Sequence, residues 1–132
     1  MKFNLEINAG NYYIQSYAAE EIGILIPSTV SQASQEIFHH SLVVTPRQLI
    51  RDWPPQSFEE LSIAHFKLIA ELQPELVLLG SGARLRFPHP NLTASLLEQG
   101  IGVDVMDTGA ACRTYNILMG EGRNVAAALL MI

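Results

Sequence analysis

A run of small residues followed by an arginine is the segment of this sequence best suited to bind a ligand. Gly80, Ser81, Gly82 and Arg84 come directly after a short apolar run, 77–79. Glycines let backbone N–H groups approach a ligand closely, and arginine can hold a carboxylate or phosphate through two donors. The segment lacks the last glycine of a dinucleotide-binding fingerprint and the Gly-Lys-Ser/Thr of a P-loop. It predicts weak binding of a small anion, with a tight strand-exit turn as the structural alternative.

Three polar residues on a predicted helix extend this candidate site. The helix begins at Asp107 or Thr108, and the free N–H groups of a helix start carry partial positive charge. Arg113 and Asn116 lie away from the apolar stripe of the helix. Thr108, Arg113 and Asn116 are therefore further ligand-binding candidates, and a solvated polar face is the alternative.

Groups that could perform catalysis are scarce in this sequence. The single cysteine, Cys112, falls in the first turn of the same helix, where a thiol pKa can be lowered. A small buried cysteine is the commoner arrangement. The histidines His39, His40, His65 and His89 lack the spacing of metal ligands. We therefore predict no catalytic residues, no metal site and no cofactor.

The apolar pattern predicts the elements that position these groups. From residue 57 onward, helix, strand, helix, strand, helix and strand alternate, which is typical of crossover units in a mostly parallel sheet. The first of these helices is predicted to begin at Ser57, with Glu60 completing a capping box. The part before Pro54 predicts short antiparallel strands, including a weak candidate over 4–8. The pattern predicts a single α/β domain over 1–132 with three layers.

The composition limits the class of protein. The chain has 132 residues, 48% of them hydrophobic, and a net charge of −5. This apolar fraction excludes an intrinsically disordered chain, and the negative charge argues against a nucleic-acid partner. No apolar run approaches the roughly 20 residues of a membrane-spanning helix. The lack of a signal or transit pattern and the single cysteine predict a cytoplasmic location.

The acidic excess lies entirely in residues 1–79, because acidic and basic residues balance over 80–132. The same part of the chain holds the tryptophan and all but one of the tyrosines. Aromatic residues beside a charged rim are typical of protein interfaces. We therefore predict that Trp53, next to Pro54 and Pro55, faces a protein partner or a second copy of the chain.

Three segments of the second half, 100–108, 110–118 and 121–129, together with the glycines of 80–82, resemble the Mth nine-three-eight-like (Mth938-like) domain family. This group of domains of unknown function includes the mitochondrial complex I assembly factor three. The resemblance extends over essentially the whole chain and is strongest from Leu76 onward. It implies a three-layer β+β/α domain with a central mixed five-stranded sheet, and it supplies no reaction, cofactor or catalytic residue.

These observations favour a small non-enzymatic binding or assembly-factor module that acts through protein partners. The alternative is a small-molecule (anion) binding domain or an enzyme that uses the crevice at Gly80 and Arg84 with Arg113. Catalysis needs an acid, a base and a group that holds the substrate together in one place. The sequence offers a group that could hold an anionic substrate, and it offers no base clearly placed beside it. Association into a homodimer is left open.

Overall fold

The computed structural model describes residues 10–27 and 34–132, so the predicted strand over 4–8 lies outside the described residues. The strands are β1 (Tyr13–Ala18), β2 (Glu21–Ile26), β3 (Ser34–Phe38), β4 (Leu42–Val44), β5 (Leu49–Ile50), β6 (Leu76–Gly80), β7 (Gly102–Met106) and β8 (Val125–Leu129). The helices are α1 (Ile63–Ala70), α2 (Pro90–Glu98) and α3 (Thr108–Gly120), and a 3₁₀ turn precedes α1 (Phe58–Glu60).

The central sheet has five strands in the order β5-β4-β8-β6-β7. Strand β6 runs parallel to both β7 and β8, whereas β4 runs antiparallel to β8 and to β5. Strands β1, β2 and β3 form a separate antiparallel sheet. The predicted α/β fold with a mixed five-stranded sheet is therefore confirmed.

Alternate residues of the central sheet feed two separate cores, because successive side chains of a strand point to opposite faces. Leu78 and Ala127 pack toward the three-stranded sheet and α3. Val77 and Ala128 pack on the other face, with Phe66 of α1 and Leu96 of α2. The three predicted layers are thus the small sheet with α3, the central sheet, and the pair α1 and α2.

The start of the first helix differs from the sequence prediction. Leu61 has ψ 135°, which separates the 3₁₀ turn from α1. The capping partners are Ser62 and His65, where the Ser62 backbone N–H donates to His65 Nδ1 at 3.1 Å. Glu60 accepts from the Gln56 backbone N–H at 2.9 Å. The predicted Ser57–Glu60 capping box was therefore wrong, since Glu60 reaches past Ser57 to an earlier residue.

The prediction that Trp53 faces a partner was also wrong. Trp53 is 0% exposed and lies in the core beneath α1. Its ring meets Phe66 edge to face at a centroid distance of 6.2 Å, and Nε1 donates to the His65 carbonyl at 3.4 Å. The neighbours Asp52 and Pro54 are exposed. The residues on either side of Trp53 are therefore exposed while its own side chain is buried.

Candidate functional site

The glycine-rich loop leaves the carboxyl end of β6, as the sequence predicts, and its shape is fixed by Ser81. The Ser81 backbone N–H donates to the Met106 carbonyl at 2.9 Å. Its hydroxyl donates to the Arg84 carbonyl at 2.6 Å and accepts from the Arg86 backbone N–H at 3.1 Å. Because Ser81 is only 4% exposed, these bonds hold the loop in place from inside the protein.

Thr108 joins the ends of the parallel strands. Its buried hydroxyl accepts from the Gly82 backbone N–H at 2.9 Å and donates to the Leu130 carbonyl at 2.7 Å. A Cβ on Gly80 would lie 2.9 Å from the same hydroxyl, so Gly80 is needed for this close approach. The N–H groups of Ser81 and Gly82 are thus engaged within the fold. Anion binding at this crevice stays a prediction, and it rests on Arg84.

A groove of about 220 Å³ lies beside the loop. Its lining includes Phe58 and Glu59 of the 3₁₀ turn together with Ser81, Gly82, Arg84 and Arg86. Arg86 is paired, since Nη1 lies 2.8 Å from Glu59 Oε2 and its guanidinium lies 4.2 Å from the centre of the Phe58 ring. Among the described residues, no carboxylate lies within salt-bridge distance of Arg84. Arg84 therefore offers the unpaired positive charge of this groove.

The other predicted ligand contacts lie elsewhere. Arg113 does not line the groove, and its Nη1 donates instead to the hydroxyl of Tyr17 on β1. Gly109 permits this contact, because a Cβ there would lie 3.0 Å from Tyr17 Cε1. The expectation that Arg113 acts together with Arg84 in one crevice was therefore wrong. Arg113 instead connects α3 to the small sheet.

Asn116 also has a structural partner rather than a place in the groove. Its Oδ1 accepts from the Ile14 backbone N–H at 3.0 Å, and its Nδ2 donates to the Ile14 carbonyl at 2.7 Å. The adjacent Tyr115 hydroxyl donates to the Tyr12 carbonyl at 2.8 Å. The sequence left two roles open for Asn116, contact with a ligand or exposure to solvent. In the structure its side chain instead pairs with the backbone of β1.

Cys112 is 1% exposed, and burial raises the pKa of its thiol to about 12. The thiol therefore stays protonated at neutral pH, because desolvation outweighs the position near a helix start. Within the ranges 10–27 and 34–132, no three His, Cys, Asp or Glu side chains lie close enough to hold a metal ion. None of the described helices has the length and apolar character required to cross a membrane.

Two exposed apolar residues beside the glycine-rich loop, Leu85 and Phe87, were not predicted from the sequence. Leu85 is 51% exposed and Phe87 is 70% exposed. They alternate with Arg84 and Arg86, so two cations and two large apolar groups occupy four consecutive positions. The alternation of charged and apolar residues just before Pro88 was the available signal. Exposed apolar groups that lie close together beside a cation are candidates for contact with a partner.

Comparison with known proteins identifies the family. The family model described as a protein of unknown function (DUF498/DUF598) matches residues 16–130. The mouse protein named NADH dehydrogenase (ubiquinone) 1 alpha subcomplex assembly factor 3 is 34% identical over 90 residues, which cover 67% of this chain and 48% of that protein. The 13 kDa major membrane protein of Francisella tularensis is 28% identical over 94 residues, covering 70% and 76%. The chain thus spans about half the length of the mouse assembly factor.

Solved structures show the same architecture. A crystal structure from Bordetella parapertussis has a TM-score of 0.82 at 34% identity and covers 94% of this chain and 98% of its own. A Bordetella pertussis protein described as a Mth938-like domain has a TM-score of 0.74 at 29% identity, with coverage of 92% and 85%. The family match extends over most of the sequence. This chain therefore belongs to the DUF498/DUF598 family and has the Mth938-like domain that its sequence resembles.

Proposed function

We propose that this protein is a non-enzymatic binding module that acts through a protein partner. The observation that carries the proposal is the segment 84–87, in which Leu85 and Phe87 are exposed next to Arg84, a groove-lining cation with no salt-bridge partner among the described residues. Interfaces combine apolar anchors with arginine more often than the rest of a protein surface does. The assembly-factor name of the mouse relative supports a role through protein partners.

The segment 84–87 defines the chemistry of the partner. Leu85 and Phe87 would cover apolar side chains, and Arg84 would pair with a carboxylate. Arg86 is already neutralised by Glu59, so the groove holds one unmatched positive charge. The loop is held by Ser81 before a partner arrives, which lowers the entropy cost of binding. We therefore expect a partner segment that places one acidic residue next to apolar ones.

A photo-crosslinking amino acid in place of Phe87 tests this proposal in cells of the native host. The same substitution at Ile117, which is 61% exposed on α3, is the matched control. A protein captured at position 87 and not at 117 is then purified and its affinity for the full chain is measured. We expect the combined change Arg84→Gln and Phe87→Ser to weaken this affinity by about 30-fold or more, the effect of losing one hot spot of about 2 kcal/mol.

Two results would count against partner binding at this groove. One is capture that is equal at positions 87 and 117. The other is an affinity that Arg84→Gln and Phe87→Ser leave unchanged while Ile117→Ser lowers it. A reaction catalysed by the protein that Arg84→Gln abolishes and Ile117→Ser leaves unchanged would favour the enzyme alternative.

Binding of a small anion at Arg84 is the second candidate function, supported by its unpaired guanidinium. A sulfate titration followed by NMR should shift the amide signals of 81–86 at tens of millimolar, about the range of a weak site. Unchanged signals would exclude this binding.

Homodimer formation and a cytoplasmic location stay predictions. Sedimentation of the purified protein tests the first, and fractionation of host cells tests the second.

A further inference from the structure

A second and larger cavity lies at the opposite end of the central sheet. It has a volume of about 640 Å³, and Asn124, the residue before β8, lines it. The first groove instead includes Leu130, just after β8. Small-molecule sites commonly measure about 300–1,000 Å³. This cavity is therefore large enough for a ligand and is separate from the proposed docking groove.

The walls of this cavity are held in shape by internal hydrogen bonds. On one side, the Thr45 hydroxyl accepts from the Gln48 backbone N–H at 2.9 Å and orders the turn that carries Arg47. On the other side, Gly122 lies in the turn directly after α3 at φ +84°, and its N–H donates to the Met119 carbonyl at 3.0 Å. A left-handed glycine closing a helix in this way forms a tight turn. Hydrogen bonds within the chain therefore hold both walls of the cavity in place.

The cavity combines apolar surface with one unneutralised cation. Leu72 and Pro46, both half-buried, supply apolar lining, and Asn11 and Gln48 supply amide groups. Arg123 also lines the cavity, but its Nε lies 2.9 Å from Glu75 Oε1 and its charge is balanced.

Arg47 is the cation that lacks such a partner. Among residues 10–27 and 34–132, no carboxylate lies within salt-bridge distance of its guanidinium. None of the residues that line the cavity is acidic. An anion in the cavity would therefore meet attraction from Arg47 without repulsion from the lining.

We infer that this cavity binds an organic anion with an apolar body, whose carboxylate or phosphate pairs with Arg47. The apolar body would lie against Leu72 and Pro46, which are half-buried, and would displace water from their apolar surface. The amide groups of Asn11 and Gln48 would satisfy further oxygen atoms of the ligand. The inference does not depend on the partner-binding role of the other groove.

Titration of the full chain with 4-phenylbutyrate, followed by amide NMR, tests the inference. The alcohol 4-phenylbutanol is the matched probe, because it keeps the apolar body and removes the charge. Phenyl phosphate tests whether a phosphate can replace the carboxylate as the anionic group. We expect the two anions to shift the amides of 45–48 and 119–124, and the alcohol to bind at least fivefold more weakly. Absence of shifts in these segments at 10 mM probe, or equal binding of the alcohol, would overturn the inference.

Substitution of the arginine provides the second arm. Arg47→Gln should weaken the binding of 4-phenylbutyrate at least tenfold and leave the binding of the alcohol unchanged. Lys67→Gln is the matched control, since Lys67 is an exposed cation on α1 that does not line the cavity. Equal loss in both variants would assign the effect to net charge and refute a site at Arg47. Shifts confined to 81–86 would place anion binding at the other groove and refute it as well.

Discussion

Asn116 on α3 pairs with both backbone polar groups of Ile14 on β1, accepting from its N–H at 3.0 Å and donating to its carbonyl at 2.7 Å. A single amide side chain thereby replaces the two hydrogen bonds that a neighbouring strand would provide. The pairing lies beside the irregularity of β1 between Ile14 and Ser16. It joins parts of the chain that are 102 residues apart and fixes the small sheet against α3.

Removal of this amide should destabilise the protein. Asn116→Ala leaves a partly buried N–H and carbonyl of Ile14 without partners, which costs about 1–3 kcal/mol. Asn116→Asp should also destabilise, because a carboxylate keeps the acceptor and loses the donor. Urea unfolding measures both changes. Ile117→Ala, at an exposed position of the same helix, should alter the free energy of unfolding by less than about 0.5 kcal/mol. An Asn116→Ala protein as stable as this control would contradict the pairing.

The hydroxyl of Thr108 should contribute more to the free energy of unfolding than its methyl group does. Thr108→Val keeps the shape and leaves the Gly82 N–H and the Leu130 carbonyl without partners, so we expect a loss of about 2 kcal/mol or more. Thr108→Ser retains the hydroxyl and should lose less. Thermal and urea unfolding of the two variants give the comparison. A serine variant less stable than the valine variant would show that packing dominates at this position.

Trp53 reports directly on its own burial, because it is the only tryptophan of the chain. Its fluorescence in the folded protein should be blue-shifted and protected from acrylamide, and both features should disappear in urea. Trp53→Ala should lower the free energy of unfolding by about 3–5 kcal/mol, as expected for truncation of a large core residue. Ready quenching by acrylamide in the native state would instead place the ring at the surface.

The thiol of Cys112 should make the protein less stable at alkaline pH. Its pKa is raised from an ordinary value of about 9.0 to about 12 by burial, so above pH 9 the folded state keeps a proton that the unfolded state loses. Stability from this group is fully present below pH 9 and falls as the pH rises toward 12. Between pH 8 and 10 the loss is about 1 kcal/mol. Urea unfolding between pH 8 and 10 measures this loss. The free energy of unfolding of Cys112→Ala should fall by about 1 kcal/mol less over this range than that of the unchanged protein.

Burial also raises the pKa of Tyr115, which contributes an alkaline loss of the same sign in both proteins. The difference between the two pH profiles therefore isolates the thiol. A thiol reagent should label native Cys112 slowly at pH 8 and rapidly after unfolding. Fast labelling of the native protein, with parallel pH profiles, would mean that Cys112 is accessible and ionisable.

The fold followed from the sequence where the apolar period was unambiguous. The short apolar run at 77–79, which lies between two helical patterns, predicted β6. The glycine at 100 predicted the end of α2. The predicted start of α1 lay several residues too early, because Ser57 and Ser62 can each cap a helix. Leu61, the residue before Ser62, decides between the two starts, because its extended ψ of 135° interrupts the helical conformation. Local sequence does not contain that information, since tertiary packing selects the conformation.

The candidate site was harder to predict because its members are joined by distant contacts. The pattern placed Arg84, Arg113 and Asn116 near two strand ends, but the partners Tyr17 and Ile14 lie about a hundred residues earlier in the chain. Polar residues on the outer side of α3 therefore meet the small sheet instead of solvent or ligand. No spacing rule in a single sequence shows which sheet covers which helix face.

Strand β8 lies between β4 and β6, although it follows every other described strand in the chain. During synthesis, the β4–β5 pair and the β6–β7 pair therefore emerge from the ribosome with no strand to join them. Only when 125–129 has emerged can the central sheet close, and all five of those residues then become buried. Until that moment, the nascent chain exposes apolar strand edges on both halves. Strand β8 thus controls when the apolar edges of β4 and β6 are covered, and with them the aggregation risk of the partly folded chain.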